Sequence, residues 1–155
     1  MKARSLEDAV SRYGEIINGV WKNEADWMCL TEMPRWFENQ VINSFTKKGC
    51  SRIYLNRDIQ QPLLDALYSI KKLGLDDELK TFNGCLNVRP VRGENVISTH
   101  AYGLALDFNA LLNPMGSFHS SFSSDFVACF QKAGFAWGGC FHREIDCMHF
   151  SYAWE

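Results

Sequence analysis

Apolar positions along the 155-residue chain recur at two spacings, one helical and one extended. Leu6, Val10, Tyr13 and Ile17 fall at three- and four-residue steps, which predicts a short amphipathic helix at the N-terminus. Pro34 in a first turn, Phe37, Val41 and Phe45 on one face, Lys47 and Lys48 near the end and Gly49 just beyond predict a second helix. A third begins near Pro62, buries Leu63, Leu67 and Ile70, and stops at Gly74. The fourth is capped by Ser123 or Ser124, turns Phe126, Val127, Phe130 and Ala133 inward, and ends at Gly134. Strand-like runs occupy 52–56, 81–92 with a break at Asn83-Gly84, 103–109 and 148–154. Helices come early and strands late, without regular alternation. That order predicts an α+β domain built on a small antiparallel sheet with helices packed on it.

Composition narrows the picture. A hydrophobic share of 46% and a charged share of 22% are those of an ordinary globular domain, and the length suits one core, so residues 1–155 are expected to form a single domain. A net charge of −2 supplies no field for gripping nucleic acid or an anionic membrane. Charges scattered through MKARSLEDAV leave no apolar stretch for a signal peptide, and no later run is long enough to span a bilayer. Synthesis in the cytoplasm without membrane insertion is the expectation. The six cysteines are then expected to remain thiols.

The segment STHAYGLALDFN, residues 98–109, raises a chemical question, because it places an acid on an otherwise core-like strand. In an extended chain Leu104, Leu106 and Phe108 share one face while Ala105, Asp107 and Asn109 share the other. A buried carboxylate on that second face needs a partner. His100 lies an odd number of positions away, so a bend, which Gly103 can supply, is required to bring it to Asp107. The last strand repeats the alternation, with Met148, Phe150 and Tyr152 opposite His149, Ser151 and Ala153. Pairing the two strands brings His149 beside Asp107. His100, Asp107 and His149 then form a three-ligand zinc set, one ion per chain, with a fourth position left for water. Asp146, three residues before His149, is the natural general base. Arg89 or Arg92 in NVRPVRG can stabilise charge developing on a substrate carbonyl.

These residues resemble a known family. SxHxxGxAxD is present as Ser98, His100, Gly103, Ala105 and Asp107, and DxMHF as Asp146, Met148, His149 and Phe150. The pair resembles the zinc D-alanyl-D-alanine carboxypeptidases and L-alanyl-D-glutamate peptidases, which cut peptidoglycan stem peptides and include bacteriophage endolysins. RPVRG, NPMG and GFAWGG are also similar to phage-type members, so the resemblance runs from about Arg52 to Trp154. It implies zinc on His100, Asp107 and His149, Asp146 as base, and Arg89, with Arg92 as competitor, at the transition state. It also implies the hedgehog/DD-peptidase fold. Ser98, Tyr102 and Trp137 are candidate substrate contacts. The implied partner is the stem peptide, met by a monomer after holin-type release or virion delivery. Asp146 departs from the glutamate of many members, which sets its carboxylate one methylene further from the water.

Other readings stand beside this one. Cys140, His142, Cys147 and His149 could form a closed Cys₂His₂ site, although that leaves Asp107 unexplained and lacks a tight CxxC pair. His119, in the polar loop GSFHSSFSS, reads as a solvated residue. A non-catalytic zinc-containing binding module of the same fold is the alternative function, and Asp146 discriminates, because zinc binding alone does not need an acid there. Residues 1–50 read as helical without a recognised motif, and Trp21, Trp27 and Trp36 there can serve as core, substrate platform or docking surface.

Overall fold

The computed structural model describes residues 2–89 and 96–154. Helix α1 (Leu6–Tyr13) starts where Ser5 Oγ accepts the Asp8 N–H, and Gly14 ends it at a φ of 88°. The chain does not stay helical to Ile17. It turns back at Asn18 and Gly19, both at positive φ, to pair β1 (Ile16–Ile17) with β2 (Val20–Trp21). An Asn-Gly pair is the strongest local hairpin signal because both residues tolerate that backbone. A single turn of helix, α2 (Glu24–Trp27), leads into β3 (Met28–Glu32). Residues 1–50 are therefore not simply helical as expected.

Helix α3 (Arg35–Gln40) is shorter than predicted. Val41 is already extended, because Ile42 N–H donates to Lys80 O and pulls β4 (Ile42–Asn43) onto the sheet. Strand β5 (Arg52–Asn56) pairs antiparallel with β3 along its whole length. Helix α4 (Arg57–Lys72) begins five residues before Pro62, since Asn56 Oδ1 accepts the Asp58 N–H and caps it there. Strands β6 (Thr81–Gly84) and β7 (Ala105–Phe108) follow, then α5 (Ser124–Lys132), β8 (Ala136–Trp137) and β9 (His149–Ser151).

The fold is α+β. Its main sheet has the order β4-β6-β7-β9-β8, antiparallel except for the parallel β4–β6 pair at one edge. Strand alternation divides the sheet by face. Phe108 of β7 and Phe150 of β9 point into the core, where Phe150 stacks on Phe130 of α5 at 4.2 Å between ring centroids. Asp107 and His149 point the other way. The N-terminal part joins the same core: Tyr13 and Trp21 pack on Tyr102, and one cluster of buried side chains runs from Ala3 to Ala153. No helix among the described residues is long and apolar enough to cross a membrane.

Candidate metal centre

A short 3-10 helix over Thr99–Tyr102 carries His100. Ser98 caps it, its hydroxyl accepting the His100 N–H at 3.3 Å. Gly103 ends it at a φ of 63°, in the left-handed region, and so supplies the bend that returns the chain to β7. Strand register does the rest, since Asp107 pairs with His149 on one side and with Gly84 on the other. His100, Asp107 and His149 are brought together. His100 Nε2 lies 3.1 Å from His149 Nδ1, His149 Nδ1 lies 3.2 Å from Asp107 Oδ1, and His100 Nε2 lies 3.3 Å from Asp107 Oδ2.

The donor set suits zinc. Bonds of about 2.0–2.1 Å in a tetrahedron put neighbouring ligand atoms roughly 3.3 Å apart, close to the spacings seen. His100 Nδ1–H donates to Cys85 O at 2.6 Å, which leaves the Nε2 lone pair facing the cluster. Burial opposes the Asp107 charge, but hydrogen bonds with His100 and His149 outweigh it and hold the carboxyl well below the ordinary carboxylate range. Among the described residues this is the only group of three or more His, Cys, Asp or Glu side chains close enough to share an ion.

Asp146 sits at the mouth of β9 and is buried. Its Oδ1 has no hydrogen-bond partner among the described residues. Burial raises its pKa, the charge of His149 lowers it, and that of Asp107 raises it again. Two neighbours fix its backbone. Asp146 N–H donates to Gly138 O at 2.9 Å, and a Cβ at residue 138 would run into the Asp146 carbonyl. Trp137 Nε1–H donates to Cys147 O at 2.9 Å.

Other expected site residues fall elsewhere. Tyr102 is fully buried with its hydroxyl donating to Gly14 O, which makes it a core residue rather than a substrate contact. Trp137 pairs with core-facing Phe150 and holds the Asp146 segment from behind. Ser98 acts on the His100 backbone. Arg89 lies in the loop after β6, its N–H donating to Asn87 O, and Asn87 N–H in turn donates to His100 O. Arg92 lies outside the described residues. Cys140, His142 and His119 are exposed, and Cys147 points its thiol at Ser117 O, so the Cys₂His₂ arrangement does not form. Of the tryptophans, Trp21 is core and Trp27 and Trp36 pack at its margin.

Three contributors escaped the sequence reading. Cys85 acts through its carbonyl, which any residue possesses. Gly138 acts through a missing Cβ, for which the doubled glycine in GFAWGG is the only signal. Phe141, whose ring centroid is 5.7 Å from that of His149, is one more aromatic in an aromatic-rich stretch.

Residues 92–152 match the model of a family described as D-alanyl-D-alanine carboxypeptidase. The match bears out the resemblance carried by the two motifs, over a shorter stretch than 52–154. Curated proteins and solved structures give no match.

Proposed function

We propose, on the premise that residues 92–152 are a D-alanyl-D-alanine carboxypeptidase-type segment, that the chain is a zinc-dependent peptidase acting on peptidoglycan stem peptides. The observation that carries this reading is the convergence of two imidazole nitrogens and a carboxylate at 3.1–3.3 Å, beside a buried acid whose Oδ1 has no partner among the described residues. His100 would hold zinc through Nε2, His149 through Nδ1, and Asp107 through its carboxylate. Zinc at such a set lowers the pKa of water to about 7 and draws electron density from a peptide carbonyl. Asp146 takes the proton of the attacking water and passes it to the amine that leaves as the C–N bond breaks. Burial suits that task, because it raises the pKa of the carboxyl and so helps the carboxylate take the proton before the neutral acid passes it on. Arg89 or Arg92 stabilises the carbonyl oxygen as it gains charge.

L-alanyl-D-glutamate endopeptidase and D-alanyl-D-alanine carboxypeptidase activity both fit the site. The setting we infer is cell-wall lysis in a phage or prophage, with a monomer reaching the wall through a holin-type pore or on a virion.

Purified protein is expected to hold one zinc per chain and to release fragments from peptidoglycan that mass spectrometry assigns to one stem-peptide bond. Removal of zinc by a chelator should stop the release and added zinc restore it. Full zinc with no cleavage would leave a binding module instead, and absence of zinc would remove the reading altogether.

A further inference from the structure

The sequence places Phe45 on one helix face with Phe37 and Val41, yet in the fold it is 71% exposed. A large aromatic left in solvent on a flexible loop would mean little, but this one is held. Asn43 Oδ1 accepts the Phe45 N–H at 2.9 Å and the Thr46 N–H at 3.3 Å, Lys47 takes a φ of 62°, and Lys47 N–H closes the turn on Asn43 O. Ser44 N–H donates to Phe82 O, which fastens the turn to β6.

The ring lies over Gly84. A Cβ built on Gly84 would meet Phe45 Cζ at 3.7 Å and Cε2 at 3.9 Å, and among the described residues no other, its chain neighbours apart, comes within 4 Å of it. Gly84 pairs with Asp107, which pairs with His149, and paired residues in a sheet point to the same face. Phe45, the bare backbone of Gly84, Asp107 and His149 therefore follow one another across the sheet, through a shift of register between Phe82 and Gly84, with strands about 4.8 Å apart. At the far end Phe141 flanks His149. The three convergent donors thus sit between two aromatic side chains from opposite edges of the sheet.

We infer that Phe45 is a substrate-contacting, specificity-determining residue, and that its exposed ring packs against an alanyl methyl of the stem peptide next to the bond that is cut. This rests on the peptidase reading above. A peptide whose carbonyl reaches the donor cluster crosses the row of strands, and among the described residues it meets on the β6 side the bare backbone of Gly84 and the ring of Phe45. With no side chain at Gly84 to cover it, the exposed ring of Phe45 supplies the apolar contact. The residue lies in the part of the chain outside the matched segment, which gives residues 1–50 a share in substrate choice.

The test compares wild-type protein with Phe45→Ala and Phe45→Leu, zinc-loaded, on a synthetic stem pentapeptide and on the same peptide with glycine in place of the alanine at the cut bond. Hydrolysis is followed by mass spectrometry and binding by calorimetry. Loss of a central aromatic contact is expected to raise KM for Phe45→Ala by roughly five- to thirtyfold. The change in kcat should be about twofold or less, with zinc content and melting temperature unchanged, and Phe45→Leu should recover part of the loss. The glycine peptide should bind less well to wild type and hardly distinguish it from Phe45→Ala. Wild-type hydrolysis with an unchanged KM in Phe45→Ala overturns the inference alone. If wild type binds the pentapeptide without cutting it, the peptidase reading fails, and the calorimetric difference between wild type and Phe45→Ala decides for or against Phe45. Neither binding nor hydrolysis by wild type sinks both.

Discussion

At the scale of single residues the proposed chemistry separates holding a metal from using it. His100, Asp107 and His149 point donors at one another, whereas Asp146 stands beside them with Oδ1 free of any partner among the described residues. Substitutions should respect that division. Asp146→Ala is expected to keep its zinc while hydrolysing stem peptide about 10²–10⁴-fold more slowly, the usual reach of a general base. His100→Ala removes a nitrogen donor and should lose zinc along with activity. Metal analysis and turnover measured on the same preparations decide the matter: equal turnover in Asp146→Ala removes it from the chemistry, and full zinc in His100→Ala breaks the ligand assignment. Cys85 adds a subtler device, since its carbonyl selects the His100 tautomer, and replacing its side chain leaves that carbonyl in place.

Secondary-structure elements carry these side chains with a precision that depends on two glycines. Gly103 takes a left-handed φ between the 3-10 helix and β7, and Gly138 lets the backbone before β9 approach closely enough for its carbonyl to receive the Asp146 N–H. Gly138→Ala is expected to push the Asp146 segment outward and slow hydrolysis at least tenfold, the cost of misplacing a catalytic group by about 1 Å being up to 10²-fold. Zinc content should hold, because no ligand stands on Gly138. A variant with wild-type kcat would show that the segment relaxes without moving the carboxylate. The strands of the site were legible in the sequence because Leu104, Leu106, Phe108 and Phe150 alternate cleanly with polar or small neighbours, so that a register placing His149 beside Asp107 could be foreseen. Elements elsewhere were hidden where tertiary contacts override local pattern. Strand β3 exposes Leu30 and buries Thr31, the reverse of the usual alternation, so its apolar run gave no period. Phe45 falls at helical spacing after Phe37 and Val41, but the sheet captures the chain at Ile42 before the helix can reach it. In the hairpin, the Asn18-Gly19 signal was present but masked by Ile17 falling in step with the first helix.

Across the whole molecule the first third of the chain acts as a buttress for the site. Tyr102, two residues from His100, donates its hydroxyl to Gly14 O at the end of α1 and packs on Tyr13 and Trp21. Tyr13 in turn donates to Asp58 Oδ2 at 2.7 Å, and Arg12 clasps the same carboxylate with Nε at 2.7 Å and Nη2 at 3.0 Å, joining α1 to the first turn of α4. Burial works against the Asp58 charge, but these bonds outweigh it and hold its pKa below the ordinary value. A carboxylate with a depressed folded pKa contributes its stability in full above the unfolded value of about 4, and the contribution fades as pH falls below that. Asp58→Asn is expected to destabilise the protein by roughly 1–2 kcal/mol at pH 7, a figure kept low because the Arg12 side chain is 33% exposed and solvent screens the pair. By pH 3 the difference from wild type should have narrowed, since protonation has begun to remove from wild type what the variant lacks throughout. Urea midpoints for both proteins at the two pH values provide the measurement. A gap that stays constant with pH would mean that Asp58 acts through the shape of its contacts and not through its charge, and the electrostatic account of how α1 is tied to α4 would have to be abandoned.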